Sequence, residues 1–148
     1  MAFEIEHKYL VVNDTYKNMA TGKVEIRQGY LNRNPERTVR IRTMGEKGFL
    51  TVKSKNHGEK RLEFEYEIPG KDAEEILKLA EPGIVEKTRY MVPYSGLLWE
   101  VDEFHGSLNG VTVAEVELPE TGITYDLPPF IGEDITGDPK YYNSNLKV

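Results

Sequence analysis

Ala2-Phe3-Glu4-Ile5-Glu6-His7-Lys8-Tyr9-Leu10-Val11-Val12 stands almost at the N-terminus and sets the reading of the whole chain. Its mix of apolar, aromatic and alternating charged residues reads as a β-strand, in which every second side chain shares a face. Glu4, Glu6 and Lys8 line one face; Phe3, Ile5, Tyr9 and Val11 line the other. Two carboxylates and an ammonium at successive same-face positions can hold a divalent cation beside an anion. They are equally at home on the wet face of an ordinary sheet. The rest of the chain weighs on that choice, because the same design recurs.

Further strands are expected at Lys23 to Asn32, Arg37 to Met44, Phe49 to Lys55, Arg61 to Ile68, Ile84 to Pro93, Leu97 to Phe104 and Val111 to Leu118. Turn signals separate them: Asn34-Pro35-Glu36, Gly45-Glu46-Lys47-Gly48, Asn56-His57-Gly58, Ser95-Gly96, and Asn109-Gly110 as a hairpin turn. Thr15 to Met19 offers one helical turn. Asp72 reads as the cap of a helix from Ala73 to Glu81, stopped by Pro82-Gly83. The Pro-, Gly- and Asp-rich tail from Pro119 to Val148 carries Tyr125, Phe130, Tyr141 and Tyr142. It reads as a segment laid across the end or side of the sheet, with a short helix near Lys140. Eight strands on short connections imply a mainly β, largely antiparallel fold with one or two flanking helices, and eight is a number that can close into a barrel. No repeat or linker divides residues 1–148, which read as one domain.

The charged faces are unusual. Same-sign pairs at i and i+2 recur: Arg40/Arg42, Lys53/Lys55, Glu63/Glu65, Lys87/Arg89, Glu100/Asp102 and Glu115/Glu117. Like charges on one solvent-facing strand repel, so such pairs are a poor choice for stability. They make sense pointing inward, basic pairs on a polyanion and acidic pairs on divalent cations, which together describe a metal-bound polyphosphate. The plainer arrangement is a half-open sheet, apolar face packed on the helix and tail, charged face wet. A charged interior turns the apolar faces outward, where helices, the tail or a second subunit must cover them. That favours a homodimer.

Composition narrows the alternatives. Net charge is -6 with a pI near 5.2, which disfavours nucleic acid or an anionic membrane as a partner. The chain has no cysteine, so disulfides, thiolate metal sites and cysteine nucleophiles are excluded, and three scattered histidines disfavour a zinc centre. The N-terminal stretch is no signal peptide and no run could span a bilayer as a helix, so a cytoplasmic protein is expected. There is no P-loop and no Gly-x-Ser-x-Gly elbow. The aromatic residues are not interleaved with the basic pairs and read as core or interface.

Glu4-x-Glu6-x-Lys8, Arg27-Gln28-Gly29-Tyr30-Leu31, Arg40-Ile41-Arg42, Thr51-Val52-Lys53-Ser54, Glu86-Lys87-Thr88-Arg89-Tyr90, Glu100-Val101-Asp102 and Glu115-Val116-Glu117, with the tail Gly132-Glu133-Asp134-Ile135-Thr136 through Lys140-Tyr141, resemble the CYTH domain, the triphosphate tunnel metalloenzymes, over nearly the whole chain. The resemblance is to the small bacterial inorganic triphosphatases. It implies an eight-stranded antiparallel barrel forming a tunnel, triphosphate bound inside, and Mg²⁺ or Mn²⁺ as cofactor. Carried over by motif, Lys8, Arg40, Arg42, Lys53, Lys87 and Arg89 would bind phosphates, and Lys140 would close the tunnel mouth. Glu4, Glu6, Glu63, Asp102, Glu115 and Glu117 would bind metal. Glu4, Glu6, Lys87 and Tyr30 would be catalytic, Tyr30 as proton acceptor, although its parity relative to Arg27 is ambiguous. His7 stands where many relatives have Arg, on the outer face and away from the chemistry. The expected reaction is hydrolysis of tripolyphosphate to pyrophosphate and phosphate. Adenylate cyclisation, hydrolysis of nucleoside or thiamine triphosphates, and polyphosphate binding without turnover are the alternatives.

Overall fold

Strands that are charged on one face and apolar on the other must hide one of them, and here the charged faces look at one another. The computed structural model describes residues 3–141 and residue 145; Ala2 and Tyr142, to which the first strand and the tail were expected to extend, lie outside the described residues. The strands are β1 (Phe3–Val11), β2 (Gly22–Asn32), β3 (Arg37–Met44), β4 (Lys47–Ser54), β5 (Lys60–Ile68), β6 (Val85–Tyr94), β7 (Leu97–Phe104), β8 (Thr112–Glu117) and β9 (Ile131–Asp134). Helix α1 (Tyr16–Met19) lies between β1 and β2, and α2 (Gly70–Leu77) between β5 and β6. The antiparallel order β5-β4-β3-β2-β6-β7-β8-β1 closes because β1 also pairs with β5, giving an eight-stranded barrel with β9 added beside β1.

The seam is β1. Residues Phe3, Glu4 and Ile5 pair with β5, Glu6 through Leu10 with β8, and Tyr9 and Val11 with β9. Where β1 has left β5, the tail takes over its backbone groups: Lys8 N donates to Thr136 Oγ1 at 2.9 Å, and Ile135 N donates to Lys8 O at 2.8 Å. Without that tail a stretch of β1 would carry unpaired buried backbone groups.

Cross-strand partners in an antiparallel pair share a face, so the register fixes the interior. Glu4 faces Arg61, Lys8 faces Glu115, Lys53 faces Glu63, Arg89 faces Asp102, and Tyr30 faces Arg40. The apolar faces point outward and are largely covered by the chain itself. Trp99, Val101, Ala114 and Val116 pack under Tyr16 of α1 and Phe130 of the tail. Ile41 packs under Ala73 and Leu77 of α2. Helix α2 can lie this close because of the glycine beneath it: a Cβ on Gly48 would come 2.5 Å from Ala73 Cβ. A Cβ on Gly29 would come 2.5 Å from Ile84 Cδ1 in the segment that follows the helix.

Several expectations are corrected. Helix α2 begins at Gly70, so Asp72 sits in its first turn and Pro69 precedes it, with no side-chain cap. It ends at Leu77, beyond which Leu79 and Ala80 bond back three residues, a tighter turn that runs into Pro82. Asn109-Gly110 is no two-residue hairpin; a 3₁₀ turn at Gly106–Leu108 widens that connection. Lys55 lies past the end of β4, exposed and 3.7 Å from Glu36, so it does not share the interior with Lys53. Strand β9 was unforeseen. Nor is the interior charged throughout: Val85, Phe104, Val113 and Ile135 form an apolar plug at one end, closed over by Leu10, Leu108 and Tyr141. Among the described residues no helix is long and apolar enough to cross a membrane.

Candidate functional site

The barrel encloses a cavity of about 280 Å³ lined by Glu4, Glu6, Arg40, Arg42, Met44, Phe49, Lys53, Glu63, Glu65, Arg89, Glu100, Glu115 and Glu117. Met44 and Phe49 flank the β3–β4 turn and mark the open end. The opposite end holds the apolar plug, on which the fully buried Lys87 sits with its ammonium 5.3 Å from the centre of the Phe104 ring.

Nearly every interior cation is paired. Lys53 Nζ donates to both oxygens of Glu4 at 3.1 Å and stands 3.2 Å from Glu63. Arg61 Nε donates to Glu4 Oε1 at 3.3 Å. Glu65 takes Arg42 at 3.1 Å and Arg40 at 3.4 Å while accepting from Thr51 Oγ1 at 2.7 Å. Arg89 spans Asp102 and Glu100, and Lys87 Nζ lies 2.8 Å from Asp102 Oδ2. Lys8 Nζ donates to the Tyr141 carbonyl at 3.0 Å and lies 3.9 Å from Glu115.

The protonation behaviour shows which walls are overcharged. Burial raises the Glu6 carboxyl well above the usual carboxylate range, and Glu115 and Glu4 add to it. Burial works against the Glu115 carboxylate too, but Lys8 and a hydrogen bond from Glu6 hold it well below that range. Burial would raise Glu4, yet Lys53, a hydrogen bond from Glu63 and Arg61 bring it to about 2. Glu63, buried and sharing that hydrogen bond, is pushed up to about 7. Glu117 is raised by burial and by Glu4 and Glu100. On the basic side, burial lowers Lys87 to about 8 despite Asp102, and burial with Arg40 and Arg89 lowers Arg42 to about 10. Glu6, Glu63 and Glu117 thus hold protons more tightly than free carboxyls, while Lys87 and Arg42 hold theirs less tightly. Each sign is in local excess, and a cation and a polyanion bound together would relieve both.

The residues expected at the site are mostly brought together, with exceptions. Tyr30 is resolved as inward: it is buried, directly opposite Arg40, while Arg27 lies exposed beside Glu86. Asp102 is enclosed between Lys87 and Arg89 and, like Lys8, Tyr30 and Lys87, is not among the residues that line the cavity. Lys140 is exposed in the 3₁₀ turn Pro139–Tyr141, its ammonium over the Tyr141 ring, and is not among the lining residues. His7 points outward, as expected, and bonds Glu59 and Tyr125. Sequence reasoning faced Glu65 and Glu100 inward as members of acidic pairs but gave them no role, and it left out Arg61, although its strand parity was readable. It also missed Gln28, whose buried amide has no hydrogen-bond partner among the described residues.

Glu4, Glu6, Glu115 and Glu117 offer only hard oxygen donors, the set that suits Mg²⁺ or Mn²⁺. The proton retained on Glu6 fits the same purpose, since a divalent cation would replace it. Among the described residues no three acidic or imidazole groups stand close enough to hold one ion as arranged, and Glu4 is turned onto Lys53 and Arg61.

Residues 2–142 match the profile of the CYTH domain. The chain is 48% identical to an inorganic triphosphatase of Acetivibrio thermocellus, over 99% of this chain and 94% of that one. It is 36% identical to an inorganic triphosphatase of Nitrosomonas europaea, over 98% and 97%. It superimposes on a crystal structure of an inorganic triphosphatase with a TM-score of 0.68 at 34% identity, covering 99% of this chain and 95% of the other. A putative adenylate cyclase from Bacillus halodurans shares the fold alone, with a TM-score of 0.60 at 18% identity over 81% and 83%. A match running through every barrel strand, at such identity to proteins of the same length, leaves one conclusion: this chain belongs to the CYTH domain family.

Proposed function

We propose that this chain is an inorganic triphosphatase, a hydrolase that splits tripolyphosphate into pyrophosphate and phosphate inside its barrel. The observation that carries this reading is the enclosure of opposed basic and acidic walls in one tunnel of about 280 Å³, each with charge in local excess. The relatives named inorganic triphosphatase support it.

Family membership implies a divalent metal, and the oxygen donors suit Mg²⁺ or Mn²⁺, which would neutralise phosphate charge and acidify a bound water. Glu4, Glu6, Glu115 and Glu117 would hold it, with Glu63 beside them. Lys8, Arg40, Arg42, Lys53, Lys87 and Arg89 bind phosphate oxygens and, deep in a low-dielectric channel, stabilise charge on the leaving pyrophosphate. Tyr30, buried and opposite Arg40, would accept a proton. The short chain carries no obvious aromatic or apolar insertion to build a pocket for a base or thiazolium outside the tunnel, which favours the inorganic substrate over ATP.

Phosphate release from tripolyphosphate and from ATP, with each metal, tests the reading. Fast release from tripolyphosphate alone is expected. Glu4→Gln and Lys87→Ala should each lower turnover by orders of magnitude in a folded protein. Cyclic AMP from ATP would instead make it a cyclase, and tight binding without release a binding module.

Two finer statements belong to the same reading. The outer face of β5 and the start of β1 leave Phe3, Phe64 and Tyr66 exposed at 46%, 41% and 61%, which supports a homodimer. A monomer in sedimentation at micromolar concentration would count against it. The acidic surface and absence of cysteine support a cytoplasmic protein that binds neither nucleic acid nor membrane.

A further inference from the structure

We propose that Arg61 is a further anion-binding residue of the tunnel, held in reserve by Glu4 and released, with Lys53, when Glu4 turns to the metal. This rests on the function proposed above.

Arg61 stands directly across from Glu4 and shares the interior face with Glu63 and Glu65. It lines a small second cavity of about 20 Å³, shared with Glu4, Glu6, Lys8 and Thr136. Its hydrogen bond to Glu4 uses Nε alone. Among the described residues no hydrogen bond is made by its two Nη groups, which are the pair that forks onto phosphate. The guanidinium therefore has the position, the charge and the unused donors of an anion-binding side chain.

Glu4 is the point of exchange. One carboxylate here serves two cations, Lys53 through both oxygens and Arg61 through one. Both Glu4 oxygens are engaged, so Glu4 cannot ligate a metal without loosening that grip. A metal that takes Glu4 leaves Lys53 and Arg61 short of negative charge, and the phosphate chain supplies it. Metal and polyanion then favour each other's binding, and by linkage the coupling is the same in both directions. Arg61 opposes the metal when alone and assists the anion when the metal is present.

Those opposite signs make the test. Isothermal titration of Mn²⁺, and of the non-hydrolysable imidotriphosphate in EDTA or in saturating Mn²⁺, would be run on wild type, Arg61→Met, Arg61→Lys and Glu4→Gln, each checked by thermal melting. In wild type Mn²⁺ should tighten imidotriphosphate binding by about tenfold or more. Arg61→Met should weaken imidotriphosphate in Mn²⁺ by about tenfold and tighten Mn²⁺ alone by about threefold. A residue that merely props the strand would weaken both. Glu4→Gln should bind imidotriphosphate in EDTA more tightly than wild type, because its two cations are no longer engaged. If Arg61→Met does not fold, Arg61→Lys decides: weaker imidotriphosphate with Mn²⁺ affinity near wild type supports the proposal. Wild-type imidotriphosphate affinity in a folded Arg61 variant, or weakened Mn²⁺ binding in Arg61→Met, overturns it. Failure of wild type to bind Mn²⁺ or imidotriphosphate at all would instead overturn the proposed function and this inference with it.

Discussion

Arg89 grips Asp102 with a two-point fork, Nε to Oδ1 at 2.8 Å and Nη2 to Oδ2 at 3.0 Å, at the level of the barrel where β6 and β7 run side by side. Asp102 also faces the Lys87 ammonium, so one buried carboxylate compensates two buried cations. Removing it strands both charges in low dielectric. Asp102→Leu should cost about 3–5 kcal/mol in urea denaturation. Glu100→Gln removes the other partner of Arg89, an acid whose side chain is 36% exposed, and should cost under about 1 kcal/mol. Equal losses from the two would refute the division of labour.

Tyr30 carries a separate prediction. Its ring is buried and turned toward the face that Arg40 occupies on β3. If its hydroxyl accepts the proton of the attacking water, Tyr30→Phe should cut kcat by about 10²- to 10⁴-fold while KM stays near wild type. Phenylalanine fills the same space, so the melting temperature should barely change. A kcat within a factor of two of wild type would move the proton to another group.

The glycines are a third case. A methyl on Gly29 would lie 2.5 Å from Ile84 Cδ1 and 3.0 Å from Ala80 Cβ, both in the segment that joins α2 to β6. Gly29→Ala should destabilise by about 1–3 kcal/mol through overpacking. Gly58→Ala has no atom within 4 Å of its added carbon and pays only for its φ of +68°. Its loss should be smaller, and chemical denaturation of the pair ranks them.

Strand parity made much of the barrel and its site readable in advance. Alternation places Glu4, Glu6 and Lys8 together on any strand, and the repeated same-sign pairs mark the faces that must converge. Closure itself was less legible, since β1 shares its length among β5, β8 and β9, and no local pattern announces a seam. Strand β9 has only four residues, two of them acidic, in a tail with turn composition; it exists because β1 has backbone groups to satisfy. The plug was invisible for another reason. Val85, Phe104 and Val113 share faces with Lys87, Asp102 and Glu115, so reading those faces as charged hid their apolar ends. Arg61 was overlooked because its sign broke the acidic run of β5, although its parity was plain.

Lys87 offers the clearest dependence on pH. Burial lowers its ammonium to about 8 from the ordinary 10.5, with Asp102 pulling the other way. A bound polyphosphate favours the charged form, so binding should take up a proton between those two values. The affinity for imidotriphosphate should therefore be level below pH 8 and fall as the pH rises above it, by up to about tenfold per pH unit. Titrations in two buffers of different ionisation heat would count the proton directly. Lys87→Arg keeps its charge across this range, so its affinity should lose the alkaline fall even if it binds more weakly throughout. A wild-type affinity that stays level from pH 7 to 10 would mean that the Lys87 ammonium does not touch the phosphate chain.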